Sequence, residues 1–259
     1  MIPVAHVIAW SADHPWPDQA QIEQDLLMSR AICEIAAHPY LGSELVFRGG
    51  TAFHKLHLPR PLRHSEDLDY VRTTATGIGP LLDALREVGQ NLGFKVNTQI
   101  GTHPKAVWRT ATDDGVRLRI KAEINTHERS PALPLLRTPF RVESAWWTGG
   151  AEVQTFQAPE LVAIKIRALY QRSKGRDLFD LWLALTRAGI DPDAILAAFG
   201  PYRPDGFTAA LAVANLRAKI SDQQFRDDIA RLAITTPSGY GIEDAAALVI
   251  TRLLSRVDG

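Results

Sequence analysis

Ile22, Leu26, Leu27, Ile32 and Ile35 recur at roughly helical spacing. Asp18 stands where it would cap the helix they define, with Gln21 in the capping-partner position. Upstream, the stretch opening Trp10-Ser-Ala-Asp-His-Pro-Trp-Pro is turn-rich and predicts no regular element. The short apolar run Leu45-Val46-Phe47 stops at Arg48-Gly49-Gly50 and gives way to Thr51-Ala-Phe-His-Lys-Leu56. That succession predicts a strand, a glycine turn and a helix. Beyond a proline-bounded loop at 59–61, the alternation from His64 to Arg72 predicts a second strand.

Helical spacing returns over 78–92 in Ile78, Leu81, Leu82, Leu85, Val88 and Leu92. Strands are expected at 94–100, 107–112 and 116–125, the latter two joined through the hairpin signal Asp113-Asp114-Gly115. The last has the cleanest pattern: Leu118, Ile120, Ala122 and Ile124 take one face, and Arg117, Arg119, Lys121 and Glu123 the other. Around 145–150 the pattern predicts a loop with at most one further short strand. From Pro159 onward it is helical, with helices expected at 159–172, 176–188, 191–199, 206–219, 222–233 and 241–256. The shift near 157 predicts a mixed α/β domain over 1–157, including its N-terminal helix, and a helical domain over 158–259.

Composition narrows the function. With 46% hydrophobic and 22% charged residues, a chain of 259 residues buries a sizeable core without metals or disulfides. Cys33, the single cysteine, has no partner in the chain and is expected to be a small buried apolar residue. Lys plus Arg (29) equals Asp plus Glu (29), which excludes a uniformly basic nucleic-acid coat but leaves local patches open. The first residues show no basic segment running into an apolar one, and no window approaches a membrane span, so a cytoplasmic chain is expected.

The most informative segment is 47–70. Two glycines between a buried strand and a helix let the backbone approach an anion, and the helix start offers unpaired N–H groups. Downstream, Asp67 and Asp69 are two apart on a strand and share a face, where hard oxygen ligands suit Mg²⁺ (or Mn²⁺) carrying nucleotide phosphates. Either feature alone is an ordinary turn or cap; the pair is what points to phosphate chemistry. Glu123 is the natural third acid, and pairing with Arg119 or Lys121 is the competing reading. Lys165, among Leu161, Val162, Ile164, Ile166 and Leu169, can reach inward to a triphosphate or snorkel to solvent. Asp177 and Asp180 lie near one helical face, either as caps or as groups serving a site. Arg167, Arg172, Lys174 and Arg176 form the best local basic patch, although such runs are commonly solvated faces. His54, His57 and His64 lack the spacing of a zinc site and are expected on the polar surface. No nucleophile elbow, Walker loop or dinucleotide fingerprint occurs, so hydrolase and redox-cofactor readings lack support.

Phe47-Arg-Gly-Gly-Thr-Ala-Phe-His-Lys-Leu56, followed by Arg63-His-Ser-Glu-Asp-Leu-Asp-Tyr70, resembles the signature of the AbiEii/AbiGii-type nucleotidyltransferase toxins, within the polymerase-β-like nucleotidyltransferase superfamily. The resemblance extends through Gln21–Leu27, Lys121–Asn125, Leu161–Lys165 and Arg176–Leu181, covering about 20–190, with Phe53 standing where the family usually has leucine. It implies a minimal nucleotidyltransferase fold: a small mixed sheet flanked by helices, then a helical domain contributing Lys165 and Asp177 to the cleft. In that scheme Gly49, Gly50, Thr51 and Ser65 cradle the nucleoside triphosphate, and Asp67, Asp69 and Glu123 serve the metal. Lys165 steadies the triphosphate, and Asp177 acts near the acceptor or as a base.

The implied activity is Mg²⁺-dependent transfer of a nucleoside monophosphate, often a pyrimidine, to an RNA such as the tRNA 3′ end. Arg167, Arg172, Lys174 and Arg176 then meet the RNA, and a cognate antitoxin protein is the expected partner. Two rivals stay open at this point: transfer to a protein or small-molecule acceptor, and a non-catalytic module that binds nucleotide or a partner. The intact glycine pair and acid pair weigh against the second.

Overall fold

A computed structural model describes residues 2–233, 235 and 237–258; the outer ends of the two predicted domains, residues 1 and 259, lie outside the described residues. The described chain divides into two compact units, one of 2–130 with 135–156, the other of 131–134 with 157–258.

The first unit begins with α1 (Val4–Ser11), α2 (Gln19–Ala37), α3 (Leu41–Glu44), β1 (Leu45–Arg48), α4 (Gly49–Leu56) and β2 (Asp67–Arg72). It continues with α5 (Gly79–Asn91), β3 (Lys95–Gln99), β4 (Lys105–Ala111), β5 (Arg117–Asn125), β6 (Leu136–Glu143) and β7 (Thr148–Thr155). The strands make one mixed sheet in the order β3-β4-β5-β2-β1-β7-β6. Neighbours run antiparallel except β2 with β5 and β1 with β7. The sheet is larger than the sequence pattern predicts, because β6 and β7 form an eight-residue antiparallel hairpin where no element was assigned to 136–143 and a loop with at most one short strand was expected around 145–150. Pro139 in β6 and Gly149-Gly150 in β7 erase the strand signal, and β6 tolerates its proline because it is an edge strand.

The predicted cap of α2 forms: the Asp18 carboxylate accepts from the Gln21 backbone N–H at 2.8 Å. The alternation in β5 buries Leu118, Ile120, Ala122 and Ile124 at 5% exposure or less, while Arg117, Arg119, Lys121 and Glu123 stay on the open face. α5 covers the same inner face as these apolar residues, with the Trp108 indole of β4 filling the space that a Cβ at Gly89 would need. Cys33 is buried, and burial pushes its thiol up to about 12, so it packs as an inert apolar residue. α1, absent from the sequence prediction, takes residues 4–11 and leaves the irregular stretch to start at Ala12.

The second unit is helical: α6 (Ala158–Gln171), α7 (Gly175–Thr186), α8 (Pro192–Phe199), α9 (Ala209–Lys219), α10 (Gln223–Asp227) and α11 (Ile242–Arg252). The helix expected over 222–233 is a five-residue turn of helix followed by a 3₁₀ turn at Ile229–Arg231. Glu160 of α6 ties the 131–134 segment into this unit by accepting from the backbone N–H groups of Ala132 (2.6 Å) and Leu133 (3.0 Å).

Candidate active site

β1 delivers the chain to Gly49, where the helix begins directly instead of after a separate turn. Gly49 has φ +78°, a conformation that costs an L side chain energy. A Cβ there would also lie 2.5 Å from Asp69 Oδ2, so the position demands glycine twice over. Thr51, in the first turn of α4, donates from Oγ1 to the Asp67 carbonyl (2.5 Å) and sits 2.8 Å from Ser65 Oγ. Those contacts fasten the helix start to the strand that carries the acids. The predicted phosphate cradle of Gly49, Gly50, Thr51 and Ser65 is therefore gathered at the head of β2.

In β2 the buried Leu68 points inward, and Asp67 and Asp69 share the opposite face, half-buried. Cross-strand register sets Arg48 of β1 and Glu123 of β5 opposite Asp69, and Lys121 opposite Asp67. Burial first, then the negative charge of Asp67, push the Asp69 carboxyl above the ordinary range; Arg48 opposes that shift, and Glu123 adds to it. Lys121 Nζ bridges Asp67 Oδ2 (3.0 Å) and Glu123 Oε2 (3.2 Å). Burial works against its charge, yet the two carboxylates hold its pKa above normal. Arg48 is itself held by Glu128 at 2.6 Å, and Glu128 accepts from Asn125 Nδ2 at 3.1 Å.

Glu123 thus joins the acids in register, but its carboxylate is engaged by Lys121, the competing reading given by the sequence. Among the described residues no three His, Cys, Asp or Glu side chains are grouped to hold an ion. A divalent cation still fits the chemistry of the donor set. Two carboxylates on one face, one of them disfavoured by burial and by its neighbour's charge, are the protein oxygen donors that Mg²⁺ takes alongside substrate phosphates and water. Arg48 was not singled out from sequence, and Lys121 was named only as a partner for Glu123; its hold on Asp67 comes from the cross-strand register, which the spacing within β5 does not carry.

The helical unit holds the other predicted group. Lys165 Nζ is buried, 3.2 Å from Asp177 Oδ1 and 2.8 Å from Asp180 Oδ2. The Arg172 guanidinium grips Asp177 with two bonds, Nε to Oδ2 at 2.6 Å and a terminal nitrogen to Oδ1 at 2.7 Å. Burial alone would raise Asp177, but Lys165 and Arg172 outweigh it and hold the carboxyl below its usual range. Arg167 lies over the Tyr202 ring at 5.6 Å, and Lys174 and Arg176 are half-buried at the start of α7. Of the four predicted RNA contacts, Arg172 is thus committed to Asp177.

The histidines depart from expectation. His54 and His64 are buried at 1% and 0% exposure, and His57 is half-buried. His54 Nδ1 accepts from the Leu62 backbone N–H at 3.2 Å, so it splints the loop after α4. Among the described residues neither ring nitrogen of His64 has a hydrogen-bond partner, and burial pulls its pKa down to about 4. Beneath α4 a further buried pair, Lys55 with Asp25 at 2.9 Å and Ser29 at 2.8 Å, anchors that helix to α2.

A glycine-opened helix start fastened beside paired strand carboxylates defines a class, the enzymes that move a phosphoryl or nucleotidyl group. The family is specific: residues 30–248 match the profile of the nucleotidyl transferase AbiEii toxins of type IV toxin–antitoxin systems, and the chain belongs to that family. It is a nucleotidyltransferase toxin, acting on a nucleoside triphosphate, from a system that pairs toxin with antitoxin. Among solved structures, MenT4, a nucleotidyltransferase toxin of Mycobacterium tuberculosis, shares the fold. It has a TM-score of 0.69 and 20% identity over 99% of this chain and 89% of that one. An antigenic nucleotidyltransferase-like protein from Paracoccidioides brasiliensis aligns with a TM-score of 0.38 and 18% identity, over 79% of this chain and 93% of that one. No curated protein matches the sequence. No helix among the described residues is long and apolar enough to cross a membrane.

Proposed function

We propose that this toxin transfers a nucleoside monophosphate from a pyrimidine nucleoside triphosphate to an RNA 3′ end, that of tRNA, in a Mg²⁺-dependent reaction that blocks translation. The observation that carries the chemistry is the acid pair Asp67 and Asp69, fixed on one strand face beside the start of α4. The choice of pyrimidine and of tRNA rests on the family resemblance.

The backbone N–H groups at the start of α4, which the Arg48 side chain does not cap, would receive phosphate oxygens together with Ser65 and Thr51, and glycine at 49 keeps their approach open. Asp67 and Asp69 would hold the metal, which when bound supplies charge stabilisation to the phosphoryl oxygens and lowers the pKa of the attacking hydroxyl. Lys121 ties Asp67 and Glu123 together across the two strands, so Glu123 serves the site through Lys121. The acceptor hydroxyl attacks the α-phosphorus in line, and pyrophosphate leaves.

Lys165 is assigned to the triphosphate, with Asp177 and Asp180 aiming its ammonium. A carboxylate held low and engaged by two cations is a poor base, so Asp177 fits a positioning role better than a proton acceptor. Arg167, Lys174 and Arg176 remain candidates for RNA contact on the helical unit. The test incubates the protein with each α-labelled nucleoside triphosphate and total tRNA, with and without EDTA. Label on tRNA from CTP or UTP, lost in EDTA, is the expected result. Label on protein alone, or on no RNA with any nucleotide, refutes the acceptor assignment.

A further inference from the structure

The open face of the sheet carries a row of cations that the site described above does not use. Lys95 of β3 stands directly opposite Arg109 of β4, and Arg109 directly opposite Arg119 of β5. All three are exposed, on the face that alternates away from the buried Trp108, Leu118 and Ile120. Arg117 lies at the outer end of β5, and Lys105 falls in register with Glu123. Among the described residues no carboxylate comes within ion-pair distance of Lys95, Lys105, Arg109, Arg117 or Arg119.

Like charges directly opposite on a sheet destabilise it, since facing Cβ atoms are only about 5 Å apart. Three in a row, with no acid to offset them, work against the fold. The same face continues without interruption into the active acids: Arg119, Lys121 and Glu123 are successive outward positions of β5, and Lys121 and Glu123 register with Asp67 and Asp69. At strand spacing the cation row lies roughly 13 Å from Glu123 along β5 and spans about 10 Å across three strands. That distance suits the phosphates one to three nucleotides behind a 3′ end placed at Asp67 and Asp69.

We propose that the Lys95–Arg109–Arg119 row, flanked by Arg117 and Lys105, is the track that holds the phosphodiester backbone of the RNA acceptor. The proposal rests on the RNA reading above and adds where the polyanion lies. A chain with zero formal net charge must concentrate its RNA affinity, and this row is an unpaired cation stripe that ends at the acids.

The test measures binding of fluorescein-labelled bulk tRNA by anisotropy across a salt series, with melting temperature and nucleoside triphosphate affinity in parallel. The proteins are wild type, the pair Arg109→Gln/Arg119→Gln, and the pair Arg109→Glu/Arg119→Glu. Losing two phosphate contacts should flatten the slope of log affinity against log salt by about 1.4 and weaken binding about tenfold or more at low salt. Nucleotide affinity should hold, and the glutamine pair should melt at the same temperature as wild type or higher, because repulsion is relieved. That opposite movement of stability and RNA affinity separates a binding role from a structural one, and the glutamine pair decides the matter if the glutamate pair fails to fold. An unchanged salt slope in the glutamine pair, with wild type binding and labelling tRNA, overturns the track and leaves the RNA reading standing. If wild type neither binds nor labels any RNA, the acceptor reading itself falls, and the track with it.

Discussion

Lys165→Met isolates what the buried ammonium does for the helical unit. Methionine keeps the aliphatic stem and deletes the charge, leaving two carboxylates at 0% and 1% exposure without the cation they share. Breaking a buried pair by removing one partner costs about 3–5 kcal/mol. Arg172 still grips Asp177 with two bonds, which puts the expectation at the lower end, about 3 kcal/mol. For a chain of this size that is roughly 6–12 °C in Tm.

The pH dependence of that loss has a definite sign. In the native protein Asp177 is held below its usual pKa, so its contribution is complete above the unfolded carboxylate value and is lost as pH falls through the folded one. Without Lys165 the largest opposing charge is gone, and burial together with Asp180 pushes the carboxyl up. The variant then gains stability relative to wild type as the pH drops, because the protonated acid is the form that the interior favours. Thermal melts from pH 8 to pH 5 should show the gap in Tm narrowing steadily, and Lys165→Met/Asp180→Asn should recover part of the loss at pH 7.5. A gap under 2 °C at pH 7.5, or one that widens toward pH 5, refutes the reasoning. Run with and without a nucleoside triphosphate, the same melts should show ligand stabilisation in wild type that the variant lacks.

Asp69→Asn should abolish nucleotidyl transfer while leaving Tm unchanged or raised, because it removes a carboxylate that burial and Asp67 already disfavour; retained transfer refutes its role. Gly49→Ala forces a Cβ against Asp69 Oδ2 in a left-handed backbone, so a loss of about 1–3 kcal/mol in denaturant melts and loss of transfer are expected together. His64→Phe should remove a proton-linked penalty. The native His64, held at about 4, costs stability as pH falls below its unfolded value, so the variant should gain on the order of 2 kcal/mol on wild type between pH 7 and pH 5. Parallel melting curves at the two pH values would sink that assignment. Glu44→Gln keeps an acceptor for Arg72 Nε but removes the charge that offsets the buried guanidinium, and should cost about 3 kcal/mol, read as a fall in the denaturation midpoint.

Much of the fold was legible because period and face are local properties. The spacing in α2 and α5 and the alternation in β5 required no knowledge of partners. The β6–β7 hairpin was not legible, because proline and paired glycines removed its local signal while pairing supplied its stability. α1 was missed for a related reason: Val4–Ser11 is short and apolar on several sides, so no face stands out. The buried histidines were misplaced because a histidine's burial depends on what packs over it. His64 lies against Trp16, 5.9 Å away between ring centroids and 48 residues distant in the chain.

The active site divides along the same line. That Asp67 and Asp69 share a face follows from their spacing on any strand, whereas what stands opposite them depends on register, which spacing does not encode. Register brings Arg48 and Glu123 to Asp69, and it lets Lys121 bind two acids at once. The same distinction applies to the outer cations. Alternation alone put Arg117, Arg119 and Lys121 on the polar side of β5, where a solvated face was a sufficient account. Only the pairing of three strands turns Lys95, Arg109 and Arg119 into a repulsive row without a counter-charge, and a row that costs the sheet stability calls for a polyanion to offset it.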